Sequence, residues 1–174
     1  VTMSIGFTAV REALTELDPE TINPTVVFNQ AAKSFLSAVG GSAGPLYATA
    51  FMRAGSLVKG QNVVGVEDMR KIVPAMAQGI RDRGKAEIGE KTMLDAWVPA
   101  AEAAVASSEL SIHGVLHSAA AAARKGAEST KPMKATKGRS SRLGERSIGV
   151  SDPGAVSTAI ILEAMAEATL EKLS

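Results

Sequence analysis

Met3, Phe7, Val10, Leu14 and Leu17 recur at intervals of three and four, so the chain opens on an amphipathic helix with one apolar stripe. Asp18-Pro19-Glu20 and Asn23-Pro24 interrupt that stripe, because proline removes a backbone donor and restricts the residue before it. Phe28, Ala32, Phe35 and Val39 share one face of a second helix, which Gly40-Gly41 ends. A third helix carries Pro45 in its first turn and runs to about Val58, followed by a loop over 60–65. Val66, Met69, Val73, Met76 and Ile80 follow the same three-four alternation through a fourth helix that ends near Gly84. Residues 92–105 and 112–125 read as the fifth and sixth helices. The last runs from Asp152-Pro153-Gly154 to about Lys172, with Asp at the N-cap and Pro at the first helical position. No stretch alternates as a strand does, so the predicted fold is all-α, in a single domain over 1–174.

Two stretches fit no helix. One spans residues 84–91 and the other 126–151. Irregular segments of that length in a compact domain commonly carry function.

Composition narrows the chemistry. Aromatic residues make up only 3% of the chain against 45% hydrophobic overall, so the core is built from Ala, Leu, Val, Ile and Met in closely packed helices. The absence of cysteine excludes disulfides, thiolate catalysis and zinc–cysteine sites, and is compatible with a cytoplasmic location. A formal charge of +1 gives no global steering toward nucleic acid or anionic membrane. No apolar run has the length of a membrane span, and no signal peptide is visible.

Three features can carry chemistry, each with a plainer reading beside it. Gly40-Gly41-Ser42-Ala43-Gly44-Pro45 places small residues at a helix start, where free N–H groups attract anions. By spacing alone it is equally a tight inter-helix turn, and that reading is favoured. Asp152-Pro153-Gly154 is a helix cap that can also face the first turn across a nucleotide. Arg124, Lys125, Lys131, Lys134, Lys137, Arg139, Arg142 and Arg146 are opposed locally only by Glu128 and Glu145. Guanidinium groups in such a stretch can clamp phosphate oxygens, whereas most of the charges read as a solvated loop. His113 and His117 stand four apart on a helix, a metal-compatible spacing, but they lack the Glu of HExxH and a third ligand, so a structural pair is the better reading. Neither GxGxxG nor GxxxxGK[ST] occurs, and neither a GxSxG elbow nor a Ser-His-Asp order is present.

Taken in order, four segments resemble the L subunit of dihydroxyacetone kinase, the DhaL family. They are Val39-Gly40-Gly41-Ser42-Ala43-Gly44-Pro45-Leu46-Tyr47; Arg83-Gly84-Lys85-Ala86-Glu87 with Gly89-Glu90-Lys91-Thr92-Met93; the run from Lys137 to Gly149; and Asp152-Pro153-Gly154-Ala155. The resemblance implies an antiparallel barrel of eight helices whose inter-helix loops hold ADP or ATP at one end. By position it implies that Ser42 and Ala43 line a phosphate turn and that Thr2 ends another phosphate loop. Gly84 and Met93 would lie on the adenine side. Arg139 would approach the phosphates as the catalytic group, and Asp152, Pro153 and Gly154 would close the pocket. Ser42-Ala43 stands where relatives often have Ala-Ser.

The family holds two magnesium ions on aspartates in a GDxDHG-type loop. The resemblance places that loop and the helix before it upstream of Val1, so the first of the eight helices and the metal ligands are expected outside this sequence. It further implies phosphoryl transfer to dihydroxyacetone, or a related small ketose, held on a separate K subunit. The phosphoryl source would be the phosphohistidine protein DhaM of the phosphotransferase system, and a transcriptional regulator is a possible further partner. Two alternatives stay open: the C-terminal nucleotide domain of an ATP-dependent kinase, and a non-catalytic nucleotide-sensing module.

Overall fold

The computed structural model describes residues 2–170. Among them are seven α-helices and one 3-10 helix: α1 (Thr2–Thr15), α2 (Pro24–Ala38), α3 (Ala43–Leu57), α4 (Val66–Gly84), α5 (Leu94–Ala106), α6 (Ile112–Ser129), η1 (Arg139–Ser147) and α7 (Pro153–Leu170). No strand occurs among the described residues. The expected end of the last helix near Lys172, like Val1, lies outside them.

Local signals account for the helix ends. Asn23 caps α2 by accepting from the Val26 N–H at 3.1 Å, with Pro24 at the first position. Ser111 caps α6 through Gly114 N at 3.0 Å. The Gly65 N–H donates to Asp68 Oδ2 at 2.8 Å at the start of α4. The Pro45 helix starts two residues before its proline, at Ala43, and α6 continues past Lys125 to Ser129. Part of the stretch expected to be irregular is therefore ordered, first as the end of α6 and then as η1. Its turns are set by Gly138, Gly144 and Gly149, all at positive φ, which a pattern of apolar periodicity does not register.

Each helix packs on its neighbours in sequence from α1 through α7, with additional contact of α5 on α7 and α4 on α6. Phe35, Tyr47, Ile72, Met76, Trp97, Leu116 and Leu162 are fully enclosed. Phe7, Phe35, Tyr47 and Phe51 form one mutually packed cluster, with ring centroids 5.3 to 6.4 Å apart, and Tyr47 extends it to Trp97 at 6.3 Å. The few aromatic rings thus join α1, α2, α3 and α5 in one place, while alanine fills the remaining interfaces. Close approach is enforced at Gly126 on α6, where a β-carbon would collide with the Asp95 carbonyl at the start of α5.

This up-and-down order decides where the loops go. Connections after α2, α4 and α6 fall at one end of the molecule, together with the start of α1. Connections after α1, α3 and α5 fall at the other. The first set contains the turn at Gly40 and Ser42, the loop before Met93 and the segment from Lys137 to Asp152.

Candidate functional site

At that first end lies a cleft of about 740 Å³, within the size range of small-molecule sites. Its lining includes Thr2, Ser42, Ala43, Gly84, Met93, Arg139, Asp152, Pro153 and Gly154. The nine positions to which the resemblance assigned a nucleotide contact therefore line a single space. Met3, Leu46, Ile80, Lys91, Lys137, Ser140 and Ser157 also line it.

One wall is the start of α3. Gly41 has φ +70°, a left-handed turn suited to glycine, and leads into Ser42 at the N-cap. The Ser42 hydroxyl makes no capping bond, so the first-turn N–H groups receive no side-chain acceptor from it. An uncapped helix start beside open space is an anion-binding arrangement. Arg139 stands over it: a β-carbon on Gly41 would lie 3.2 Å from Arg139 Nη2.

The start of α7 behaves differently. Asp152 caps its own helix, with Oδ2 accepting from Ala155 N at 2.8 Å, while its N–H donates to Thr130 Oγ1 at 2.8 Å. Of the two readings weighed for this turn, the cap describes the carboxylate, and Pro153 and Gly154 supply the cleft surface. Burial raises the Asp152 carboxyl above its ordinary value. The Ala155 and Gly154 N–H groups pull it back, the Asp95 charge raises it further and Lys91 lowers it. Gly154 has no room for a side chain: its β-carbon would lie 2.9 Å from Asp152 Oδ2 and 3.3 Å from Met93 Cβ. Gly84 is similarly confined, 3.0 Å from Leu46 Cδ2.

The basic stretch divides into two groups. Arg124 on α6 makes a two-pronged pair with Glu163 on α7, at 2.9 and 2.5 Å. Lys131 pairs with Glu128, Lys134 with Glu145 at 2.7 Å, and Lys137 approaches Glu90 at 3.9 Å. Lys125, Arg139, Arg142 and Arg146 have no carboxylate partner among the described residues, and of these only Arg139 lines the cleft. The histidines match the structural reading. His113 Nδ1 lies 2.9 Å from the Ala166 carbonyl, and its ring packs on His117 with centroids 5.9 Å apart. No group of three or more His, Cys, Asp or Glu able to hold a metal ion occurs among the described residues.

Two buried charged residues escaped the sequence reading as individuals. Asp95 accepts from Gly89 N at 2.6 Å and Thr92 N at 2.8 Å, which shapes the turn before α5. Lys91 is 3% exposed and donates to the carbonyls of Met133, Ser147 and Val150. A lysine in a glycine-containing loop reads as solvated, and its acceptors lie more than forty positions away. No sequence signal pointed to its burial.

An all-helical array with a cleft at one mouth, an uncapped helix start and an unpaired arginine defines a phosphate-ligand class of domain. The chain belongs to the DAK2 domain family, whose model matches residues 1–167, and within it to the DhaL type. It is 40% identical over 171 residues to the "PEP-dependent dihydroxyacetone kinase, ADP-binding subunit DhaL" of Escherichia coli strain K12, covering 97% of this chain and 80% of that protein. It is also 40% identical over 165 residues to "PEP-dependent dihydroxyacetone kinase 1, ADP-binding subunit DhaL" of Listeria innocua, covering 95% of this chain and 77% of the relative. The solved dihydroxyacetone kinase of C. freundii in complex with AMP-PNP and Mg2+ superposes with a TM-score of 0.61 at 29% identity, over 94% of this chain and 27% of that one. No helix among the described residues is long and apolar enough to cross a membrane.

Proposed function

We propose that this chain is the ADP-binding subunit of a phosphoenolpyruvate-dependent dihydroxyacetone kinase, a phosphotransferase. The observation that carries the reading is Arg139 over the uncapped start of α3, in the cleft that also holds Pro153 and Gly154. The names of relatives at 40% identity support the same assignment.

In this reading the adenine lies toward Gly84, Met93 and the apolar Leu46 and Ile80. The phosphates lie at Ser42 and Ala43, with Thr2 at the edge of the same space. Asp152 holds the first turn of α7 so that Pro153 and Gly154 can close the pocket. Arg139 supplies fixed positive charge to the transferring phosphoryl group. Phosphoryl transfer requires positioning and charge neutralisation more than covalent help, and this wall is what the described residues contribute to both.

Magnesium supplies further neutralisation in this chemistry. The described side chains form no carboxylate cage for it. The acceptor is dihydroxyacetone or a related small ketose presented by a separate K subunit. The nucleotide is recharged by the phosphohistidine donor DhaM in the cytoplasm, and a transcriptional regulator is a further candidate partner.

Calorimetric titration with ADP, followed by phosphate-transfer assays with K subunit, phosphohistidine donor and magnesium, tests the reading. Tight ADP binding and donor-dependent ketose phosphorylation are expected. Failure to bind ADP would overturn it.

A further inference from the structure

We propose that Lys91 is a positioning residue that acts through Arg139: it fastens both arms of the Arg139 segment to the opposite wall of the cleft without itself touching ligand. The proposal rests on the reading of the cleft as an ADP site and names one source of its geometry.

The Lys91 ammonium donates to the Met133 carbonyl at 3.0 Å, on the arm before Arg139. It also donates to the Ser147 and Val150 carbonyls at 2.5 and 2.6 Å, on the arm after it. An ammonium has three protons and no acceptor, so three carbonyls satisfy it completely. It has no hydrogen left to offer a phosphate, although the residue borders the cleft. The backbone supports the same interpretation. Lys91 sits at φ 59°, in the left-handed region that a non-glycine residue occupies at a cost, and this aims a buried charge at these three oxygens.

Other bonds join the two arms to each other, such as Gly149 N to Lys131 O at 2.8 Å and Ala135 N to Ser147 Oγ at 3.0 Å. They close the segment but do not place it. Lys91 is the buried side chain that ties both arms to the loop between α4 and α5. The other ties to that loop, from the Thr136 N–H and hydroxyl to the Glu90 carbonyl and from Lys137 to the Lys85 carbonyl and the Glu90 carboxylate, come from exposed residues of the first arm only. Arg139 is itself exposed and unpaired, so its position over Gly41 is inherited from this anchoring.

The test is a double-mutant cycle read by calorimetry on the full chain, with ADP and adenosine as the two probes. Lys91→Met is expected to weaken ADP about tenfold, the size of one charge-assisted hydrogen bond, and to leave adenosine unchanged. In an Arg139→Met background the same substitution is expected to add nothing. Amide exchange across 134–146 is expected to accelerate in Lys91→Met while the helices stay protected. Wild-type ADP affinity in Lys91→Met overturns the proposal while leaving the ADP site standing. So does an equal loss for adenosine, or full additivity with Arg139→Met. A wild-type chain that binds no ADP removes both. Lys91→Gln serves as the milder variant, and loss of helical circular dichroism in both variants would make Lys91 a folding residue and end the proposal.

Discussion

Arg139 lies directly over Gly41, with Nη2 3.2 Å from where a Gly41 side chain would begin, so the first turn and the basic segment meet across the cleft. Gly41→Ala disturbs this pair twice. The φ of +70° becomes strained, at a cost of about 1–2 kcal/mol, and the methyl group crowds the guanidinium, which must shift by a few tenths of an ångström. Urea unfolding should register the first effect. Several-fold weaker ADP binding should register the second, and unchanged ADP affinity would show that Arg139 does not need this position.

Arg139→Met separates phosphate from base recognition. ADP affinity is expected to fall by about 10- to 100-fold, as for loss of a hydrogen bond between charged groups, while adenosine affinity holds. The melting temperature should not move, because Arg139 is exposed and forms no ion pair among the described residues. A parallel loss for adenosine would count against a phosphate role.

Gly126→Ala probes the scaffold. Its methyl would collide with the Asp95 carbonyl and push α6 from α5. A loss of about 1–3 kcal/mol is expected from overpacking, read as a lower denaturant midpoint at constant slope. The turn shaped by Asp95 moves with it, so ADP binding should weaken as well.

Asp152 makes stability depend on pH. Burial holds its folded carboxyl above the ordinary value of 3.8, so the folded chain retains this proton better than the unfolded chain does. The stability the group contributes is full below that unfolded value and is lost as pH rises through the higher folded one. Asp152→Asn keeps a good N-cap acceptor and does not titrate. Its stability relative to wild type should therefore improve from the acid range toward neutrality, measured by urea midpoints across pH. A difference that is flat with pH, or opposite in sign, would contradict the assignment.

Helical periodicity is a local property, and it located the helices. Val10, Phe35, Met69, Val73, Met76 and Ile80 are buried on the faces their spacing marked. Pro45 lies in the first turn of α3 as its position marked, whereas the end of α6 moved from Lys125 to Ser129 because Gly126 and Ala127 stay buried. The order inside 126–151 was not legible, because η1 depends on glycine turns at 138 and 144 and on distant anchors.

The sequence by itself determined an all-helical chain, its glycine-rich breaks and the segments that carry the family resemblance, since each is written in neighbouring residues. Only the tertiary structure decided that Gly41 and Arg139 share one mouth, that the Asp152 N–H is bound by Thr130 Oγ1, and that Lys91 is buried against three carbonyls. Those relationships join residues far apart in the chain, and they come into being only when the helices stack and bring alternate loops to the same end.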